Sequence, residues 1–250
     1  MSEYKLGLCS ISFRDNPPEE ILKEMQKCGL NFIEWGSDVH AQKDDIKRLE
    51  EIAKLQKKYG IICSSYGTYF RIGVTPEEEF EAYINAARIL GTDILRLWCG
   101  NKNSEDYSLE EKNALFEECR KLASIAEKNN VTICMECHNG TFTNTKEAAF
   151  ELMQAVNSKN FRMYWQPNQL KSFEENVAYA SLLSGYTEHI HVFNWSEDKR
   201  FLLADGIDIW KKYLECFSCD KTLLLEFMPD DKIESLMVES MALRKIAEVE

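Results

Sequence analysis

Along this chain, short apolar runs alternate with longer stretches in which apolar residues recur every three or four positions. The short runs lie near residues 4–11, 31–35, 61–66, 93–98, 131–136, 161–165, 188–194 and 221–227. The longer ones lie near 17–28, 43–59, 76–90, 109–129, 145–157, 172–184, 207–216 and 231–248. In one of these Leu115, Cys119, Leu122 and Ala126 recur at spacings of 4, 3 and 4, which is one face of a helix. The pattern predicts eight strands and eight helices in strict alternation.

The punctuation agrees. Gly29, Gly60 and Gly91 fall at even intervals of 31 residues, each after an amphipathic stretch and before an apolar run. Glycine is expected just past a helix end because it takes the left-handed cap conformation without steric cost. Asn16-Pro17-Pro18-Glu19 and Thr75-Pro76-Glu77-Glu78 read as N-caps with proline in the first helical position, and Ser108-Leu109-Glu110-Glu111 as a capping box. Alternation requires parallel strands with crossover helices, and eight units in 250 residues is the size of a closed (β/α)8 TIM barrel. The expectation is therefore an α/β fold with one domain over residues 1–250. An open doubly wound sheet would carry a glycine-rich phosphate loop after its first strand, and SISFRDNPP is nothing like one.

Composition narrows the partners. A net charge of −12 argues against nucleic acid, which needs a basic footprint. No apolar run approaches the roughly 18 residues of a membrane span, and the start MSEYKLGLCSISF lacks a signal-peptide layout. Nine cysteines, mostly in apolar contexts such as Cys9 and Cys63, suit buried thiols in a reducing cytosol, so a cytoplasmic location is expected. The pairs Cys134/Cys137 and Cys216/Cys219 have zinc-like spacing. However, residues three apart on a strand point to opposite faces, and the second pair has no glycine knuckle, so no structural zinc is expected.

In a barrel of this kind the chemistry comes from the C-terminal ends of the strands. Reading those ends in order gives Ser10 and Ser12, Glu34, Ser65 and Tyr66, Arg96 and Trp98, Glu136, Gln166, His191 and Glu226. Charges inside apolar runs are costly unless paired or bound to metal. Converging carboxylates and an imidazole favour a hard or borderline divalent ion: Mn, Co, Mg or Zn.

With MECHNGTFTNT, YWQPN, HIHVFNW and LLLEFM standing at those strand ends, and ADGIDIW at 204–210, the chain resembles the sugar phosphate isomerase/epimerase superfamily. That superfamily includes xylose isomerase-like barrels, ketose 3-epimerases and inosose dehydratases. The resemblance implies one divalent metal held by Glu136, Gln166, His191 and Glu226, with Glu136 and Glu226 as the catalytic acid/base pair. Its substrate would be a small sugar or sugar phosphate; homo-oligomer formation is left open. The reaction implied is proton abstraction next to a carbonyl through a metal-stabilised enediolate. Gln166 stands where the resemblance calls for aspartate, so one negative charge is missing from the ligand set.

Substrate contacts are expected from His138, Glu34, Arg96, Trp98, Asn168 and Asn194, with buried ion pairs as the alternative for Glu34 and Arg96. Tyr66, Trp98, Trp165 and Trp195 are expected to line a sugar-sized cavity. His189 is expected to lie one layer deeper than His191 in a structural role, and His40 in a solvent-facing loop. The rivals are a related lyase such as an inosose dehydratase and a non-catalytic carbohydrate-binding barrel. An endonuclease-IV-like role is not expected, because that branch needs many histidine and carboxylate ligands for a zinc cluster and this chain has four histidines in all and an acidic net charge.

Overall fold

A computed structural model describes residues 4–248. Eight parallel strands close into a barrel: β1 Lys5–Cys9, β2 Phe32–Gly36, β3 Ile62–Ile72, β4 Ile94–Cys99, β5 Thr132–Glu136, β6 Phe161–Trp165, β7 Thr187–Val192 and β8 Thr222–Leu225. Each neighbours the next in sequence, and β1 pairs with β8. The helices between them are α1 Pro18–Lys27, α2 Ile46–Tyr59, α3 Phe80–Leu90, α4 Leu109–Lys128, α5 Lys146–Val156, α6 Phe173–Leu183, α7 Ile207–Leu214 and α8 Leu236–Ala247. A small antiparallel hairpin, Trp195–Ser196 with Lys199–Arg200, follows β7. Among the described residues no helix is long and apolar enough to cross a membrane.

Period-two alternation sorts each strand into an outward and an inward set. Outward residues such as Trp35 and Trp165 join the helices in the main core, where Trp165 packs edge-on to Trp210 and Tyr213. Inside the barrel Cys134, Tyr164 and Leu224, with Ile94, form a separate apolar plug. Above it the inward residues are polar. Register sets them side by side: Glu136 beside Tyr164, Tyr164 beside His189, and His191 beside Leu224.

Gly60 and Gly91 end α2 and α3 in the left-handed region, at φ 68° and 85°. Ser108 and Glu111 form the expected capping box, and Ser172 with Glu175 forms another. Two expected caps differ. Pro17, not Asn16, is the N-cap of α1, and the Asn16 side chain bonds Glu20 instead. The Thr75 hydroxyl accepts the Arg71 N–H, and the chain enters α3 through a 3-10 turn at Glu77–Glu79. β3 also runs six residues past its expected end, lifting Tyr69 to the barrel mouth. Cys134 and Cys137 are buried and Cys219 is exposed; among the described residues no four-cysteine cluster occurs.

Candidate active site

The C-terminal mouth of the barrel holds a cavity of about 350 Å³, with Glu136, Gln166 and Glu226 among its lining residues. His191 stands fully buried at its floor. Its Nδ1 lies 2.9 Å from Gln166 Oε1, 3.5 Å from Glu136 Oε1 and 3.4 Å from Glu226 Oε2. The structure thus brings the four expected ligand residues to one point. Gln166 is turned by the end of the adjacent strand: Nε2 donates to the Cys137 carbonyl at 3.1 Å, which leaves Oε1 facing inward. Phe227, directly after Glu226, takes φ 56°, a conformation that costs a bulky residue roughly 1–3 kcal/mol. Its N–H donates to Ser12 Oγ at 3.0 Å, which ties the end of β8 to the loop after β1.

Three oxygens and one imidazole nitrogen are the donor set of a divalent-cation site. One carboxylate oxygen from each of Glu136 and Glu226 and one ring nitrogen of His191 lie within 4.8 Å of one another. These residues fit the metal that the resemblance implies. The amide oxygen completes the set without adding charge.

Beneath the ligand candidates runs a chain of ion pairs. Arg96 Nε meets Glu34 Oε1 at 2.9 Å, and Arg96 Nη1 meets Glu136 Oε2 at 2.5 Å. Trp98 Nε1 also donates to Glu136 Oε2. Ser65 Oγ donates to Glu34 Oε2 at 3.1 Å and touches the Tyr164 hydroxyl at 2.9 Å.

Burial alone would raise every carboxyl in this cluster, so the partners decide the outcome. For Glu34, burial is overcome by the charge of Arg96 and then His191, and it is held well below the ordinary range. For Glu136, burial is overcome by Arg96 and then His191, bringing it down to about 2. Among the described residues, Glu226 meets no cation in an ion pair except His191. Burial dominates there, Glu136 adds repulsion, and the group is pushed up to about 7. His191 is raised well above its usual value, because Glu226 and Glu34 outweigh its own burial. The two glutamates are therefore unlike: one is locked as an anion, the other is poised between its forms near neutrality.

Of the other expected contacts, Arg96, Trp98, His138 and Asn168 line the cavity. Trp98 stacks against His138 at 5.5 Å and edge-on against Tyr69 at 5.2 Å. Asn168 is engaged with Asn139, donating to its Oδ1 at 2.7 Å. Glu34 does not reach the cavity: it is fully buried below it. Asn194 also stays outside the lining, because its side chain donates to the Leu202 carbonyl at 2.9 Å and holds the loop after the hairpin.

Two expected wall aromatics lie elsewhere. Trp165 faces the helices, and Tyr66 points outward to donate to the Ala41 carbonyl at 2.6 Å. Trp98 and Trp195 do line the cavity. His189 lies deeper, against the Ser64 carbonyl at 3.2 Å. His40 is buried rather than solvent-facing, edge-on to Trp35 and 3.1 Å from the Asn16 carbonyl. Sequence reasoning missed Arg14, Tyr69, Phe193 and Phe227 in the lining. Arg14 and Tyr69 come from loops and strand extensions 55 residues apart, joined by an Arg14 Nη2–Tyr69 hydroxyl bond of 3.0 Å.

Set against known proteins, residues 22–215 match the family model described as xylose isomerase-like TIM barrel. The chain belongs to that family. A curated relative, the 3-dehydroshikimate dehydratase of Bacillus anthracis, is 23% identical over 214 residues, covering 76% of this chain and 75% of its own. Among solved structures, the probable 3-DHS dehydratase AsbF of Bacillus anthracis superposes with a TM-score of 0.80 at 19% identity, over 96% of this chain and 98% of that one. The IolI protein with a bound zinc atom superposes at 0.75 with 16% identity, over 97% and 98%. At these identities the structural likeness speaks for the fold.

Proposed function

We propose that this chain is a divalent-metal-dependent isomerase or epimerase of a small, unphosphorylated hydroxy-carbonyl compound such as a ketose. The observation that carries the reading is the convergence of Glu136, Gln166, Glu226 and His191 Nδ1 at the floor of the cavity. The ion bound by these four residues would polarise the substrate's carbonyl and neighbouring hydroxyl, making the carbon-bound proton acidic.

The remaining chemistry belongs to the chain. Glu226, poised near neutrality, can take a proton from carbon and return it, which is what a general acid/base needs. Glu136, fixed as an anion by Arg96 and Trp98, offers the complementary carboxylate. Trp98, Tyr69, Phe193, Trp195 and Phe227 supply an apolar wall that excludes water, and the asparagine pair 139/168 and His138 offer polar contacts to hydroxyls.

The charge balance of the cavity supports an uncharged substrate. Both arginines that line it are already matched: Arg96 with Glu34 and Glu136, Arg14 with Asp38 at 3.0 Å. A phosphate would have to compete with these carboxylates for its cations. A second reading, loss of water from a hydroxylated carbonyl acid, is favoured by the sequence similarity to the dehydratase. It would begin with the same proton abstraction, and it would need Arg14 to leave Asp38 for the substrate's carboxylate.

One panel separates the readings. Ketoses, their phosphates and 3-dehydroshikimate are incubated with the protein and Mn²⁺ in D₂O. The proposal expects deuterium at the carbon beside the carbonyl of an unphosphorylated ketose, and none in its phosphate. Conversion of 3-dehydroshikimate to its aromatic dehydration product, with inert ketoses, would replace it with the second reading.

A further inference from the structure

The chemistry above leaves Glu34 without a task, yet its carboxylate is fully enclosed and its oxygens are all engaged. Oε1 meets Arg96 Nε at 2.9 Å, Cys9 Sγ at 3.2 Å and His191 Nε2 at 3.4 Å; Oε2 accepts from Ser65. The two ring nitrogens of His191 look opposite ways. Nδ1 faces Gln166, Glu136 and Glu226, while Nε2 is buried and faces Glu34 Oε1 at 3.4 Å, longer than an ordinary hydrogen bond, with Cys9 in the same cluster. Resting on the metal-site reading, we propose that Glu34 is a positioning residue: it holds the proton of His191 on Nε2 and so presents a bare Nδ1 to the cation.

A neutral imidazole carries one proton, and the nitrogen that bears it cannot coordinate a metal. Without an ion, Nδ1–H can donate to the Gln166 amide oxygen, but with an ion bound a proton on Nδ1 would stand in its place, and the Nε2 lone pair would face an anion. With the proton on Nε2, both conflicts vanish, and the carboxylate makes Nδ1 a better donor. Arg96 and Ser65 keep Glu34 from swinging up to become a ligand itself. Space has been left for this pairing: a Cβ at Gly67 would fall 2.7 Å from Glu34 Oε1 and 2.8 Å from Arg96 Nη2. Glycine at 67 is thus what lets the Glu34–Arg96 pair occupy the barrel floor.

Two measurements with Zn²⁺ test the assignment. In ¹⁵N-histidine NMR of the Zn²⁺-loaded native chain, His191 should carry its proton on Nε2 and its metal-shifted resonance at Nδ1. By calorimetry, Glu34→Gln should still bind one Zn²⁺, roughly 10- to 100-fold more weakly, as loss of such a supporting carboxylate does. A His191 proton on Nδ1 in the loaded protein, or Zn²⁺ affinity in Glu34→Gln within twofold of the native chain, would overturn the proposal. The NMR experiment needs no substitution, so it decides even if the variant folds poorly. Failure of the native chain to take up Zn²⁺ overturns the metal reading and this one with it. That outcome is visible before any variant is made.

Discussion

Glu226→Gln should lower kcat by roughly 10²- to 10⁴-fold, the usual contribution of a general acid/base, and remove deuterium exchange from the substrate that the panel identifies. It should do so with little loss of fold stability. Glutamine is the neutral isostere of the protonated acid, and burial together with Glu136 pushes the Glu226 carboxyl up to about 7, so its charge contributes less to the fold than that of Glu136. Glu136→Gln should abolish exchange too, but with a fall in thermal stability, because Arg96 would lose the anion at 2.5 Å that balances it. Exchange rates and melting curves on the two variants check both halves. Retained exchange in both would remove the pair from the chemistry, and equal melting temperatures would contradict the difference in their electrostatic settings.

Arg96→Met is expected to have the largest effect on stability. The guanidinium is 2% exposed and joins Glu34 at 0% to Glu136 at 3%. Methionine fills similar space but leaves two buried carboxylates facing each other without a cation. Removing one partner of a buried charge network costs about 3–5 kcal/mol. At this chain length that corresponds to a fall of roughly 6–20 °C in Tm. A double variant that also carries Glu34→Leu should recover part of the loss, since it removes one stranded anion together with its partner. A Tm for Arg96→Met within 2 °C of the native value would mean that the network does not hold the barrel floor together.

The barrel was legible because its signals are local. Several helices are closed or opened by residues whose own conformational preferences decide the matter, such as Gly60, Gly91 and the Ser108–Glu111 box. The positions that converge on His191 were legible because a parallel barrel puts consecutive strand ends around one axis, so Glu136, Gln166, His191 and Glu226 had to be neighbours.

What failed depended on depth or on distant contacts. A strand-end position does not say whether a carboxylate lies in the floor or the wall, and Glu34 lies in the floor. Trp165 and Tyr66 could have been placed correctly from parity: each adjoins an inward residue, Gln166 and Ser65, and so must point to the helices. His40 sits in the polar run DVHAQKDD, and nothing local shows that Trp35 and the Asn16 carbonyl close over it. The Arg14–Asp38–Tyr69 cluster at the rim is likewise non-local, assembled from two separate βα connections and a strand longer than its apolar pattern.

The central claim is that His191, Glu136, Glu226 and the Gln166 amide hold one divalent cation at the floor of the barrel. Titration of the native chain with Mn²⁺, following the electron paramagnetic resonance signal of the free ion, tests it most directly. The account predicts uptake of one Mn²⁺ per chain and its loss in His191→Leu. A free-ion signal undiminished by the native chain, or the same uptake in His191→Leu, would contradict it.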